Sequence, residues 1–299
     1  MKRRLSLLLV ALLLLTAIPG VAHADMGPKP SIDITFTGLE GKTYYACLLA
    51  PDNGGGNYFG VLTFKQSLKD GYSTDLTEAE QKLFLNYKDS DGFVPLYDVE
   101  DCSNNHHLSS GRLPPAEFKV LIYFPRTGNM VVSDQIYKNY AFSSYYRIDA
   151  ARCGLTPESS GEMNLQMLNG YVYAGLFLSF IMRLTATLAI EIGIARAFQL
   201  REKRVLRLIV IVNVITQTLL TLTLSLIDFF DGSLASIMMY VLLETGVFLI
   251  EGIIYSVRVN EISVKQFEIR ELWGVAWLSN TASFFAGVIL LMFPLNLIF

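Results

Sequence analysis

Histidine, cysteine and tryptophan are scarce in this chain, which has three, three and two of them. All three histidines lie outside the long apolar runs. This argues against intramembrane proteases, whose metal types need histidine ligands and whose serine types need a base. The hydrophilic part shows no convincing set of nucleophile, acid and base. We therefore expect neither an enzyme nor a bound cofactor.

Charge is scarce too: charged residues make up 17% of the 299 positions, and the mean hydropathy is +0.39. That balance is unusual for a soluble protein and ordinary for a chain that is half membrane-embedded. Residues 25–168 carry 12 Lys and Arg against 18 Asp and Glu. The acidic excess argues against nucleic acid as a partner.

The first 24 residues have the parts of a secretory signal peptide. Basic residues 2–4 precede the apolar run LSLLLVALLLLTAI, and Ala22-His23-Ala24 supplies a small-x-small cleavage site. The run is too short to span a bilayer. We predict that residues 1–24 are removed and that the mature chain begins at Asp25, outside the cytoplasm.

The three cysteines, Cys47, Cys102 and Cys153, all lie in the segment predicted to be exported. A disulfide is permitted in that compartment. Because the number is odd, at most one internal pair forms. The sequence leaves open both a single disulfide among the three and three unpaired, partly buried thiols.

Residues 25–150 have the pattern of an all-β, β-sandwich-like domain. Short alternating or aromatic-rich runs are separated by turns rich in Gly, Pro and Asn. These runs are SIDITFT, TYYACLLA, FGVLTF, FVPLYDV, EFKVLIYF and NMVVSD. A capping box at residues 77–80 predicts a helix through about Asn86. A second short helix is predicted from Ser133 or Asp134.

Asp89-Ser90-Asp91-Gly92 faintly resembles a calcium-binding loop. The first ligand position would be Tyr87, which breaks that pattern. An Asp-Gly hairpin turn between FLNY and FVPLY explains these residues better. We therefore predict a turn and no metal site.

Residues 169–299 form a predicted four-helix transmembrane domain, joined to the β-rich domain by a linker at 151–168 that has no clear period. Four apolar runs each provide the roughly 20 residues needed to cross a hydrocarbon core. They lie at about 171–195, 205–227, 235–257 and 272–293.

The loops between these runs predict a multi-pass orientation in the cell membrane. Loops 196–207 and 258–271 carry Lys and Arg, whereas the loop between them has two Asp and no basic residue. The positive-inside rule places the two basic loops in the cytoplasm. The N-terminal domain and the C-terminus are then extracytoplasmic, which agrees with the predicted signal peptide.

The apolar runs contain polar side chains whose depth follows from the helical rise of about 1.5 Å per residue. Groups of this kind avoid lipid and are expected to face the inside of the bundle. Two layers result. The layer near the midplane contains Arg183, Glu244, Gln217 and Ser283, and the layer nearer the cytoplasm contains Glu191, Glu251, Asn213 and Asn280. We predict a midplane ion pair between Arg183 and Glu244.

The shallower layer has two interpretations. Two carboxylates with two amides could carry protons or bind a cation, and the order E…N-x-x-[ST] occurs twice, as expected of a tandem repeat of hairpins. Alternatively, the amides are interhelical contacts and the two acids reach toward Arg196 and Arg258.

A group of stretches spread over nearly the whole mature chain carries a family resemblance. They are DMGPKP, PPAEFKVLIYFPRTGNMVVS, YAFSSYYRID, IEIGIA, VNVITQ and LLETGVFLIEG. In these stretches the chain resembles an uncharacterised family of membrane proteins from clostridia-like Gram-positive bacteria. The resemblance implies the same layout, a signal peptide and exported domain followed by four transmembrane helices, and it implies no activity.

Two functions are compatible with these expectations. In the first, the extracytoplasmic domain binds an unknown ligand or protein as a sensor, adaptor or accessory subunit, and the bundle anchors it in the bilayer beside a protein partner or a second copy. In the second, the bundle is a small proton- or cation-coupled transporter or channel that uses the intramembrane Glu and Asn residues.

Overall fold

The computed structural model describes residues 28–52, 63–72, 76–111, 114–170 and 173–292. These residues divide into two compact units, residues 28–170 and residues 173–292. The predicted signal peptide and the extreme C-terminus lie outside the described residues. Most of the FGVLTF run lies outside them as well.

The first unit is β-rich and contains two sheets. Its strands are β1 (Ser31–Thr37), β2 (Tyr45–Pro51), β3 (Phe93–Pro95), β4 (Glu100–Asp101), β5 (His107–Ser110), β6 (Glu117–Phe124), β7 (Asn129–Ser133), β8 (Tyr137–Lys138), β9 (Ser143–Asp149), β10 (Gly161–Met163) and β11 (Met167–Asn169). The four-stranded sheet has the order β11-β9-β1-β5, and the seven-stranded sheet has the order β10-β7-β6-β2-β3, with β4 beside β2 and β8 beside β6.

Pairing within the sheets is mixed. In the smaller sheet β1 runs antiparallel to β5 and parallel to β9 along its whole length, with Ser31 opposite Ser143 and Thr37 opposite Asp149. In the larger sheet β6 is the central strand, antiparallel to β2 and β7. Both sheets therefore depend on contacts between distant parts of the sequence.

The period of two in β6 separates two apolar clusters. Phe118, Val120 and Ile122 join a buried cluster to which both sheets contribute. Leu121 and Tyr123 point to the opposite face and join a second cluster. Two short helices cover that second cluster: α1 (Phe64–Lys69) and α2 (Glu78–Asn86) supply Phe64 and Phe84 to it. Side chains alternate across a strand, so one sequence run serves two cores.

The capping box predicted for α2 is present. Thr77 Oγ1 accepts the backbone N–H of Glu80, and the Glu80 carboxylate accepts the backbone N–H of Thr77 at 2.9 Å. The helix ends at Asn86, as predicted. The second predicted helix is wrong, because Ser133 ends β7 and its hydroxyl donates to the Gln135 carbonyl at 3.1 Å.

The linker predicted at residues 151–168 is also wrong, because this segment folds onto both sheets. It contains most of a short helix, α3 (Ala150–Cys153), and strand β10, which pairs in parallel with β7. Strand β11 then pairs antiparallel with β9. Two strands of three residues are too short to show an alternating pattern in the sequence. Their hydrogen bonds come from partners far along the chain.

All three cysteines are unpaired. Cys102 lies in the cluster shared by the sheets, whereas Cys47 lies in the cluster under the short helices. Cys153 is half-buried. Of the two possibilities left open by the sequence, the structure has three free thiols.

The second unit is helical. Its helices are α4 (Tyr173–Ala197), α5 (Lys203–Asp231), α6 (Ser233–Ile262) and α7 (Ile269–Met292). Three stretches are long and apolar enough to cross a membrane: Gly175–Ala197, Lys203–Asp231 and Ser233–Ile262. Among the described residues α7 does not reach that standard. The fourth predicted span is therefore a helix that is not shown to be a span.

The four helices pack as a ring. α5 contacts α4 and α6, and α7 contacts α6 and α4, which closes the ring. The inward faces bury polar side chains as well as apolar ones, including Glu191, Asn213 and Glu251. The outer faces of the helices expose large apolar side chains such as Phe177 and Leu219. This distribution is the one expected where the surrounding solvent is apolar.

One carboxylate ties together the ends of the bundle that are predicted to be cytoplasmic. Glu202, before α5, accepts hydrogen bonds from the Ser263 hydroxyl at 2.6 Å and from the backbone N–H of Val264 at 3.0 Å. The hydrogen bond from Ser263, together with the backbone N–H of Val264, lowers the pKa of Glu202. The two basic loops are therefore joined to each other around one acid.

Candidate functional site

Glu191, on α4, is 1% exposed and is held by side chains from two other helices. The Asn213 side-chain amide, on α5, donates to Glu191 Oε2. The Tyr255 hydroxyl, on α6, donates to the same oxygen at 3.3 Å and accepts from the Asn213 amide at 3.0 Å. Three helices thus meet at one carboxylate oxygen.

Glu251, on α6, is also fully buried and has a donor on each oxygen. Thr216, on α5, donates to Oε1 at 2.7 Å, and the Asn280 side-chain amide, on α7, donates to Oε2 at 2.7 Å. Asn213 and Thr216 lie three residues apart on one helix, so the two acids are bound by neighbouring turns. The four residues of the predicted shallower layer therefore come together as two Glu–Asn pairs.

The two halves of the predicted repeat make the same local bonds. Each asparagine amide donates to the carbonyl four residues earlier, Asn213 to Ile209 at 3.1 Å and Asn280 to Ala276 at 3.0 Å. A hydroxyl three residues after each asparagine donates to the backbone carbonyl of that asparagine. Thr216 does so at 3.2 Å and Ser283 at 3.1 Å. The similarity in sequence therefore corresponds to a similarity in structure.

The halves differ in one respect. Thr216 reaches across to Glu251 Oε1, whereas Ser283 makes no corresponding bond to Glu191. Glu191 Oε1 is consequently a buried oxygen without a hydrogen-bond donor, as are Asn213 Oδ1 and Asn280 Oδ1. All three of these unsatisfied atoms are acceptors. A buried acceptor without a partner costs about 1–3 kcal/mol, so the cluster lacks positive charge or donors.

The predicted midplane layer is not a connected cluster. Arg183 donates to Thr221 Oγ1 at 2.8 Å, and no ion pair joins it to Glu244 among the described residues. Glu244 Oε2 is buried without a hydrogen-bond partner. Gln217 and Ser283 are buried, and neither bonds to these two charged residues. The predicted ion pair between Arg183 and Glu244 is therefore not formed, and Arg183 bonds a hydroxyl of α5 instead.

The alternative partners for the two acids are not used either. Arg258 pairs with Glu261 at 2.7 Å, three residues along its own helix. Arg196 is exposed, and its backbone carbonyl accepts from the Arg201 side chain at 3.3 Å. Glu191 and Glu251 point inward and do not reach toward the basic loops.

Sequence reasoning missed Tyr255. It lies four residues after Glu251 on α6, one helical turn away, where an aromatic residue reads as ordinary bundle packing. Its hydroxyl is nevertheless the only described group that bonds both Glu191 and Asn213. A tyrosine at that spacing from an intramembrane acid is the signal that could have been used.

The atoms of the cluster that could coordinate a cation are carboxylate, amide and hydroxyl oxygens. In the described part of the chain, no group of three or more His, Cys, Asp or Glu residues is placed to hold a metal ion. Carboxylate and amide oxygens are the ligands that hard cations prefer, and a carboxylate can also take up a proton. No protein-family model, curated protein or solved structure matches this chain.

Proposed function

We propose that this chain is a multi-pass integral membrane protein whose helical bundle binds a proton or a small cation at the Glu–Asn cluster. In this proposal α7 is the fourth span, the loops around residues 196–207 and 258–271 are cytoplasmic, and the β-rich unit is an exported β-sandwich. The three long apolar helices support insertion in a membrane. The proposed orientation rests on the positive charge of the two loops.

One observation carries the proposal: three of the buried oxygens without donors belong to the same cluster. Glu191 Oε1, Asn213 Oδ1 and Asn280 Oδ1 could each accept a bond from a positively charged ligand. A proton on Glu191 would turn one acceptor into a donor, and a cation would be coordinated by the amide oxygens. Structural contact alone would be expected to satisfy these atoms, since buried polar groups in proteins are normally bonded.

A bound ligand would stabilise the folded protein, which gives a direct test. Ligand at about 100 times its dissociation constant adds about 2.7 kcal/mol to the stability. Both tryptophans, Trp273 and Trp277, lie on α7, so their fluorescence reports on the bundle alone. We expect the unfolding temperature of the detergent-purified protein to rise with Li⁺, Na⁺ or K⁺ at constant ionic strength, or with falling pH if the ligand is a proton.

Variants then decide whether the cluster is responsible. Glu191→Gln removes a negative charge from the cluster and is expected to abolish the ligand-dependent shift. Glu261→Gln removes a charge from the exposed pair with Arg258 and is expected to leave the shift intact. Flux of the stabilising ion into proteoliposomes, followed with an ion- or pH-sensitive dye, separates transport from simple binding. A wild-type protein that responds to no cation and to no pH change contradicts the proposal.

A second function, in which the exported unit binds a ligand or protein partner, is favoured by an edge of its smaller sheet. β11 is the outer strand there and exposes Leu168, beside exposed Tyr145 on β9. An open edge of this kind accepts a further strand in many peptide complexes. The sensor, adaptor or accessory role considered in the sequence analysis would use it. Leu168→Asp should then weaken partner binding without changing the cation response of the bundle, whereas Glu191→Gln should do the opposite.

A further inference from the structure

A lysine lies in the middle of the larger sheet with its side chain completely buried. Lys119 is on β6, opposite Leu49 of β2, and its side chain is 0% exposed. It faces the apolar cluster under α1 and α2, and its Nζ lies 5.7 Å from the centre of the Phe93 ring. A lysine is almost never buried in this way unless a specific partner compensates for the lost hydration.

The partners are two carboxylates of the turn before β3. Lys119 Nζ lies 2.5 Å from Asp91 Oδ2 and 2.7 Å from Asp89 Oδ2. The Asp89 side chain is 1% exposed, whereas that of Asp91 is 50% exposed. One carboxylate is therefore inside the apolar cluster with the amine, and the other connects the amine to solvent.

The Asp89 carboxylate is held in an unusual way. Its Oδ1 accepts the backbone N–H of Asp91 at 3.0 Å and that of Phe93 at 2.7 Å. Its Oδ2 has no hydrogen bond of acceptable geometry, although the lysine nitrogen is 2.7 Å away. Two backbone donors on one oxygen are the arrangement that stabilises the oxyanion of a tetrahedral intermediate. The amine thus contacts a carboxyl group that is already polarised.

We propose that Lys119 and Asp89 form an intramolecular isopeptide bond. Nζ attacks Cγ of Asp89, the two backbone N–H groups stabilise Oδ1 in the tetrahedral intermediate, and the bond from Cγ to Oδ2 breaks. The ammonium group loses two protons, and both leave with Oδ2 as one molecule of water. Asp91 relays these protons and returns to its carboxylate form. No oxidant, reductant or other reactant takes part.

The starting state is an ion pair, so the protons must be moved before attack. Burial lowers the pKa of Lys119, and the close contacts and negative charges of Asp89 and Asp91 outweigh burial and raise it. Asp91 is the only one of the two carboxylates with access to solvent, which suits it to the relay. The product replaces two buried charges by a neutral amide, and this removes the cost of keeping an ion pair out of water. The apolar cluster also keeps water away from the new bond.

Mass spectrometry of the purified full-length chain tests the proposal. The wild-type protein is expected to be lighter by one water molecule than the mass calculated from its sequence and its observed N-terminus. After proteolysis, a branched peptide should join the segment around Asp89 to the segment around Lys119. A wild-type protein of unmodified mass overturns the proposal, whether or not any variant folds.

Variants separate this bond from other dehydration reactions. Lys119→Met and Asp89→Ala are both expected to restore the full mass, and Asp91→Asn is expected to slow the loss of water. The Asp91-Gly92 sequence could also lose water by cyclising on its own backbone, and that reaction needs no lysine. A loss of water that persists in Lys119→Met, or a branched peptide linked through Asp91, contradicts the assignment. The bundle site is not involved, so this test is independent of the proposed function.

Discussion

The hydrogen bonds to Glu251 provide a quantitative test of the buried cluster. Each oxygen of this carboxylate has one side-chain donor from another helix, Thr216 or Asn280. Hydrogen bonds between neutral groups of membrane helices average about 0.6 kcal/mol, whereas a bond to a charged group contributes about 1.5–3 kcal/mol. We expect Thr216→Val and Asn280→Val each to lower the free energy of unfolding by about 1.5–3 kcal/mol.

The double variant carries further information. A carboxylate that has lost both donors is relieved by taking up a proton, after which its remaining cost is smaller. We therefore expect the double variant to lose less stability than the sum of the single variants, which a double-mutant cycle measures. Unfolding in mixed micelles, followed through Trp273 and Trp277, reports on the bundle. If the stability loss of the double variant equals the sum of the losses of the two single variants, the two donors do not share one carboxylate.

Thr218→Val is the matched control. Its hydroxyl donates only to the Val214 carbonyl of its own helix, at 2.6 Å. The change in shape is the same as in Thr216→Val, and no interhelical bond is lost, so we expect an effect within about 0.5 kcal/mol. The reasoning is refuted if Thr216→Val and Asn280→Val cost no more than this control.

Three further outcomes are expected elsewhere in the chain. Gly252→Ala would place a Cβ in steric conflict with the Trp273 ring, and we expect thermal unfolding to show a loss of about 1–3 kcal/mol. Gly193→Ala, with no atom within 4 Å of the added group, should not show it. Thr77→Ala removes the capping box and should cost the β-rich unit about 0.5–2 kcal/mol in denaturant unfolding. Burial raises the pKa of Glu100 above 4.5, so the folded state holds its proton more tightly and stability should fall as pH rises from 4.5 through the raised value; Glu100→Gln should remove that part of the pH dependence.

Elements with a local signal were predictable from the sequence. β1 coincides with the SIDITFT run and β6 with EFKVLIYF, because β1 buries every second residue and β6 buries all but its first. The helix after Thr77 followed from its cap. In each case the information lies within fewer than ten neighbouring residues.

Elements stabilised by distant partners were not predictable. β10 and β11 have three residues each, and their sequences, GEM and MLN, show no apolar period. They are strands because β7 and β9 offer unpaired backbone groups at the sheet edges. Composition alone made this segment resemble a linker.

The candidate site was predictable in part. Depth arithmetic along each helix correctly placed both glutamates near the two asparagines, because a helix converts position into depth without further assumptions. It could not provide the rotation of each helix about its own axis. That rotation determines which side chains meet: Arg183 bonds Thr221 instead of Glu244, and Tyr255 bonds Glu191.

The position of β1 in the smaller sheet has a consequence for the order in which the chain folds. This strand lies between β5 and β9, and its parallel neighbour is more than a hundred residues later in the sequence. One edge can pair once β5 has been synthesised, but the other stays open until β9, close to the end of the β-rich unit. Folds dominated by such distant pairings reach the native state slowly. An exposed apolar strand would therefore have to be protected from aggregation for as long as the chain is incomplete.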